Sequence, residues 1–148
     1  MIQRKQSLFL LASAIIAIVM FFAPFMTLTT SGELYKLCLL PGCNPTIINT
    51  GAYAPFTLNL LAFILSIATI FLYKNRVLQY KLANLVALLH VFVMGLFFLL
   101  SYIKDGVTGT VSYSFGAFLP IVSIVCAFLA AHFIKKDEQL VRNADRIR

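Results

Sequence analysis

The chain has 148 residues, of which 61% are hydrophobic and 11% charged, whereas soluble domains run at about 45–50% and about 25%. No soluble fold of this length covers so much apolar surface with so little polar surface, so lipid must be the solvent for much of it. The formal net charge is +7; the basic residues sit in short blocks between apolar runs with no nucleic-acid recognition motif, which excludes nucleic acid as a partner and fits membrane topology.

A bilayer core about 30 Å thick needs roughly 20 apolar helical residues. Four stretches meet that length. The first span, 8–26, follows Arg4 and Lys5. Its apolar run is too long for the h-region of a signal peptide and no A-x-A-like site follows, so it is expected to remain as an anchor.

The segment 27–55 is long for a connection. Thr27-Leu28-Thr29-Thr30, a Ser31-Gly32 turn and Glu33-Leu34-Tyr35-Lys36-Leu37 read as two short β-prone runs. Cys38 and Cys43 flank Leu39-Leu40-Pro41-Gly42. The Pro-Gly turn brings the two sulfurs towards each other, and a disulfide is expected if this side is oxidising. The loop it closes is short, so its stabilisation is modest.

The second span, 56–73, carries Asn59 near its start, and the link 74–81 carries Lys74, Arg76 and Lys81. The third span, 82–103, carries Asn84 near its start and His90 in its body. Asparagines at such positions are expected to bond between helices. An intramembrane ionisable residue is a functional candidate by default. His90 could relay a proton, bind a metal or cofactor, or bond to a neighbouring helix. A relay needs further acids or histidines, and no Asp, Glu, Lys or Arg occurs in any span. His90 is therefore expected to be structural, and no cofactor or metal is expected.

The second outer loop, 104–114, contains the alternating β-branched run Val107-Thr108-Gly109-Thr110-Val111-Ser112-Tyr113. With the runs of the first loop it is expected to form a small antiparallel sheet over the outer helix ends; irregular loop is the alternative. The fourth span, 115–134, carries Ser123, Ala127 and Ala131 at four-residue spacing. Such small residues let helix backbones approach closely, as do Ser13 and Ala17, Ala62 and Ser66, and Ala83 and Ala87. Cys126, in the same span, reads as a small core residue.

The tail, 135–148, reads as helix continuing from the fourth span. Leu140, Val141, Ala144 and Ile147 share one face, and Glu138 and Arg142 are placed for an i, i+4 ion pair. That face is read first as a membrane-surface helix held by anionic lipid, and second as a docking helix for a partner. Ten of the twelve basic residues lie on one side of the spans: Arg4, Lys5, Lys74, Arg76, Lys81, Lys135, Lys136, Arg142, Arg146 and Arg148. Only Lys36 and Lys104 lie on the other. The basic side is the cytoplasmic one, so both termini are expected inside. Short links favour an up-down-up-down four-helix transmembrane bundle, all-α apart from the small extracytoplasmic sheet.

The start, Met1-Ile2-Gln3-Arg4-Lys5-Gln6-Ser7-Leu8, the link Tyr73-Lys74-Asn75-Arg76-Val77-Leu78-Gln79, the segment Phe115-Gly116-Ala117-Phe118-Leu119-Pro120 and the tail from Lys135 to Arg148 together resemble the Bacteroidota membrane family catalogued as domain of unknown function number 4293. The resemblance covers essentially the whole chain. It implies a bacterial inner-membrane protein with four spans, and it implies no activity.

No nucleophile–base set and no glycine-rich phosphate loop is visible. The leading expectation is a non-enzymatic accessory or scaffold subunit of a larger inner-membrane complex, bound to a membrane-protein partner. Ser123, Ala127 and Ala131 and the tail, through Lys135, Lys136, Leu140, Arg142 and Arg146, would make the contacts. Lys74, Arg76 and Lys81 would face anionic lipid headgroups. The alternative is a small transporter or channel, acting as a homo-oligomer and built around His90, Asn59 and Asn84. The third is a membrane thiol-redox protein using Cys38 and Cys43.

Overall fold

The structure is a computed structural model and describes residues 3–30, 33–40, 53–73, 75–104 and 110–146. Four helices carry the fold. They are α1 (Gln3–Phe22), α2 (Tyr53–Phe71), α3 (Arg76–Lys104) and α4 (Leu119–Arg146). Three strands, β1 (Met26–Thr30), β2 (Glu33–Leu37) and β3 (Thr110–Tyr113), lie at one end, and a single 3-10 turn, Phe115–Phe118, leads into α4.

Among the described residues three helical segments are long and apolar enough to cross a membrane: Tyr53–Phe71, Arg76–Ile103 and Phe115–Asn143. In α1 the apolar stretch is shorter, Gln6–Phe22, within a helix of 20 residues that is about 30 Å long at 1.5 Å per residue. Leucine, isoleucine, valine and phenylalanine face outward along all four helices: Ile15, Ile64, Phe92 and Val125 are each 51–57% exposed. Such a surface is stable only in lipid. The chain is a membrane protein built as a helical bundle.

The inside of the bundle is made of small residues. Ser13 and Ala17 on α1, Ala62 and Ser66 on α2, Ala83 and Ala87 on α3, and Ser123 and Ala127 on α4 are all 0% exposed, with Ala131 at 2%. Lipid tails are as apolar as leucine, so helices in a bilayer associate through close backbone packing, and small side chains permit it. Cys126 flanks this face on α4 and is only half-buried, not a core residue.

Consecutive helices run in opposite directions. Gln6 of α1 bonds to Phe133 and Asp137 of α4, Arg76 of α3 to Asp137, and Gln79 of α3 to Thr69 of α2. These contacts join the start of α1, the α2–α3 link and the end of the apolar part of α4. The sheet lies at the opposite end. Its order is β2-β1-β3, antiparallel throughout, with Met26 opposite both Leu37 and Tyr113. The two loops thus meet in one sheet, as their β-branched alternation predicts.

Several boundaries differ from those predicted. The first span was expected to run to Met26, but α1 ends at Phe22 and Met26 opens β1. Pro24 has no N–H to donate and disfavours helix at Ala23, so the chain leaves the helix there. Freed of helical bonding, the Pro24 carbonyl accepts from the Gly116 N–H at 3.1 Å, and Phe25 accepts from the Ser114 N–H at 3.0 Å. The second helix starts at Tyr53 rather than 56, because Pro55 falls in its first turn, where no N–H is needed. The link expected over 74–81 is shorter: Asn75 caps α3 through its side chain, accepting from the Leu78 N–H at 3.2 Å. Arg76 and Lys81 are therefore helical.

An apolar cluster fills the sheet end. Phe25 stacks on Phe97 with ring centroids 3.7 Å apart, beside Met20, Met26, Leu39 and Val93. At the opposite end Phe9 stacks on Phe133 at 5.5 Å.

Candidate functional site

His90 sits at the midpoint of α3, and its side chain is 0% exposed. A polar ring there must find partners within the bundle. Its Nδ1 lies 2.9 Å from the Val86 carbonyl oxygen, one turn back on its own helix. A carbonyl can only accept, so Nδ1 carries the ring proton and Nε2 is left to accept. The Ser123 hydroxyl of α4 donates to Nε2 across 3.0 Å. Ser123 Oγ in turn accepts from Ser13 of α1 across 2.9 Å. One acceptor, the Val86 carbonyl, thereby fixes the direction of a hydrogen-bonded chain running Ser13, Ser123, His90, Val86 through three helices.

The second helix joins one turn away. Asn59 of α2 donates its Nδ2 to the Ala17 carbonyl of α1 at 2.9 Å. Its Oδ1 is buried and has no partner among the described residues. Asn84, by contrast, does not bond between helices as expected. Its Nδ2 donates to the Tyr80 carbonyl of its own helix at 3.0 Å. It is only half-buried, so nothing forces it across to a neighbour. Ser66 and Thr69 behave similarly, donating to Ala62 and Leu65 one turn back.

A second polar layer closes the bundle at the tail end. Asp137 of α4 is 8% exposed. Its carboxylate accepts from Gln6 of α1, and its backbone carbonyl accepts from Arg76 of α3 at 3.2 Å. Gln79, 3% exposed, donates to the Thr69 carbonyl at 3.1 Å. This layer was not legible as a unit in the sequence.

A family model for the domain of unknown function DUF4293 matches residues 2–147 of the chain. The chain belongs to that family. No curated protein and no solved structure matches it. A DUF4293 chain carries no function by membership, so its chemistry must be read from its own residues.

Among the described residues no three His, Cys, Asp or Glu side chains converge as a metal site would require. His132 is exposed and packs edge-on against Phe133, away from the His90 chain. Cys38 is disulfide-bonded and buried beside Leu39; Cys43 lies outside the described residues, as does Lys74. In the tail, Lys135, Lys136, Leu140 and Arg142 are exposed on α4, and the side chain of Arg146 lies outside the described set. Glu138 and Arg142 form no ion pair. An exposed i, i+4 pair offers about 0.3–0.5 kcal/mol, too little to fix two long side chains.

Proposed function

We propose that this DUF4293 chain is a non-enzymatic accessory or scaffold subunit of a larger complex in a bacterial inner membrane, with both termini cytoplasmic. The observation that carries the reading is the tail. Helix α4 continues without interruption to Arg146, past the buried Asp137. There it presents Leu140 at 52% and Val141 at 46% exposed, beside basic residues. A rigid helix that leaves the bundle with an uncovered apolar pair suits a partner helix. Inside the bundle, His90, Ser123 and Ser13 satisfy one another and leave few polar groups to handle a substrate. The orientation rests on the ten basic residues at the link and tail end, against two at the sheet end.

A photo-crosslinking amino acid at position 140 or 141, activated in native membranes, should give a discrete protein adduct. Adducts to lipid alone at both positions would sink the docking role.

The Asn59 Oδ1, fully buried without a donor among the described residues, favours a second reading, a small transporter or channel acting as an oligomer. His90→Leu separates the two. The scaffold should keep its partners and lose about 0.6–1.7 kcal/mol of stability, the range for interhelical hydrogen bonds in membranes. A transporter should lose its activity.

A further inference from the structure

We infer that the seam between α3 and α4 at the basic end is a binding site for the phosphate of an anionic phospholipid, held by Arg76, Tyr80 and Lys135. The inference rests on the membrane location and not on the accessory-subunit role. Arg76 and Tyr80 are one turn apart on α3 and both half-buried. Arg76 is fixed in place because its Nη1 donates to the Asp137 carbonyl of α4. One turn further along α3, the Lys135 ammonium of α4 lies 6.0 Å from the centroid of the Tyr80 ring. The two helices thus set a guanidinium, an ammonium and a phenol along one short stretch of seam.

Among the described residues no acid is ion-paired with the charge at this seam, neither with Arg76 nor with Lys135. Asp137, whose backbone carbonyl holds Arg76, turns its carboxylate to Gln6 on α1. The Tyr80 hydroxyl has no partner among the described residues, so it is free to donate. An arginine with one N–H used on a carbonyl keeps further donors in the fork geometry that fits phosphate. The charge balance of the whole chain points the same way. Ten basic and three acidic residues lie at this end and two of each at the other, so all of the net +7 is here.

Depth decides the occupant. Lys135 follows Ile134, the last buried apolar residue of α4 among the described side chains, about 24 Å along the helix from Leu119. With the 3-10 turn before Leu119, this places the seam where a hydrocarbon core about 30 Å thick gives way to headgroups. Basic clefts between helices at that depth suit anionic lipid headgroups. The exposed apolar flanks, Val77 at 49% and Leu78 at 39%, offer a path for the acyl chains.

The test is native mass spectrometry of the full-length protein in neutral detergent, titrated with phosphatidylglycerol or phosphatidylcholine. The wild type should retain at least tenfold more phosphatidylglycerol. Lys135→Gln, which removes an exposed side chain without disturbing the fold, should cut that preference about threefold, and Arg76→Gln with Lys135→Gln should abolish it. Arg142→Gln at the same end and Lys36→Gln at the other should keep it, and millimolar inorganic phosphate should not displace the lipid. Equal retention of the two lipids overturns the site. So does an equal loss from Arg142→Gln, which would mean diffuse attraction. Displacement by free phosphate would overturn the lipid assignment.

Discussion

Gly116→Ala is expected to lower stability by about 3 kcal/mol, the upper part of the range for overpacking. A methyl group at Gly116 would sit 2.4 Å from the Pro24 carbonyl oxygen and 2.9 Å from its carbon. Both atoms are backbone, so no side chain can rotate away. The contact is also a hydrogen bond, from the Gly116 N–H to that oxygen, and it ties the 3-10 turn to the exit of α1. Moving the turn would pull on β3 and on the Phe25–Phe97 stack. Gly95 is the internal control: a methyl group there meets nothing within 4 Å. Alanine at 95 should be neutral or slightly stabilising, since glycine costs roughly 0.5–1 kcal/mol within a helix. Circular dichroism melts of the two variants in one detergent check the pair. Coinciding melting curves would refute the close approach.

Ala127→Leu should destabilise by about 1–3 kcal/mol, and more if the helices cannot separate. Ala127 is 0% exposed and packs on Val86 and Ala87 of α3, with Leu65 of α2 against them. Three added carbons at this fully buried contact push α4 off α3. That movement would also stretch the Ser123–His90 bond one turn away. Phe128→Leu, on the lipid side at 54% exposed, should change little. Unfolding titrations in mixed micelles would show the contrast; equal losses at 127 and 128 would mean that α4 is not packed through its small face.

The fold was largely legible because lipid imposes simple demands. Apolar runs gave the helices, four-residue spacing of small side chains marked their inner faces, and β-branched alternation in the two loops marked the sheet. What escaped is what depends on pairing across the chain. His90 was visible as an intramembrane histidine, and Ser13 and Ser123 only as small residues. That they form one chain depends on two contacts spanning three helices, which no local pattern encodes. Gln6 and Asp137 each looked like an ordinary polar flank, 131 positions apart. A signal existed for the α1 end, since Pro24 sits inside the apolar run. A proline is tolerated near a span end, so the apolar run alone does not show that the helix stops before it.

The site is less legible than the fold for a physical reason. Catalytic and transport sites announce themselves by titratable clusters, and the spans of this chain have almost none. An interaction surface is apolar and looks like any lipid-facing helix until the structure shows where the bundle stops covering it. The sequence places Leu140 and Val141 on one face of the tail, but that the bundle leaves them uncovered is visible only beside the buried Asp137, three residues before Leu140.

The most direct test of an accessory role is quantitative co-purification from native membranes, comparing the tagged full-length chain with one lacking residues 139–148. That deletion keeps Asp137 and its bonds to Gln6 and Arg76, so the bundle should stay closed. The account predicts one protein partner at constant stoichiometry with the full chain and its loss on deletion. Recovery of the full chain alone, or only with copies of itself, would contradict it.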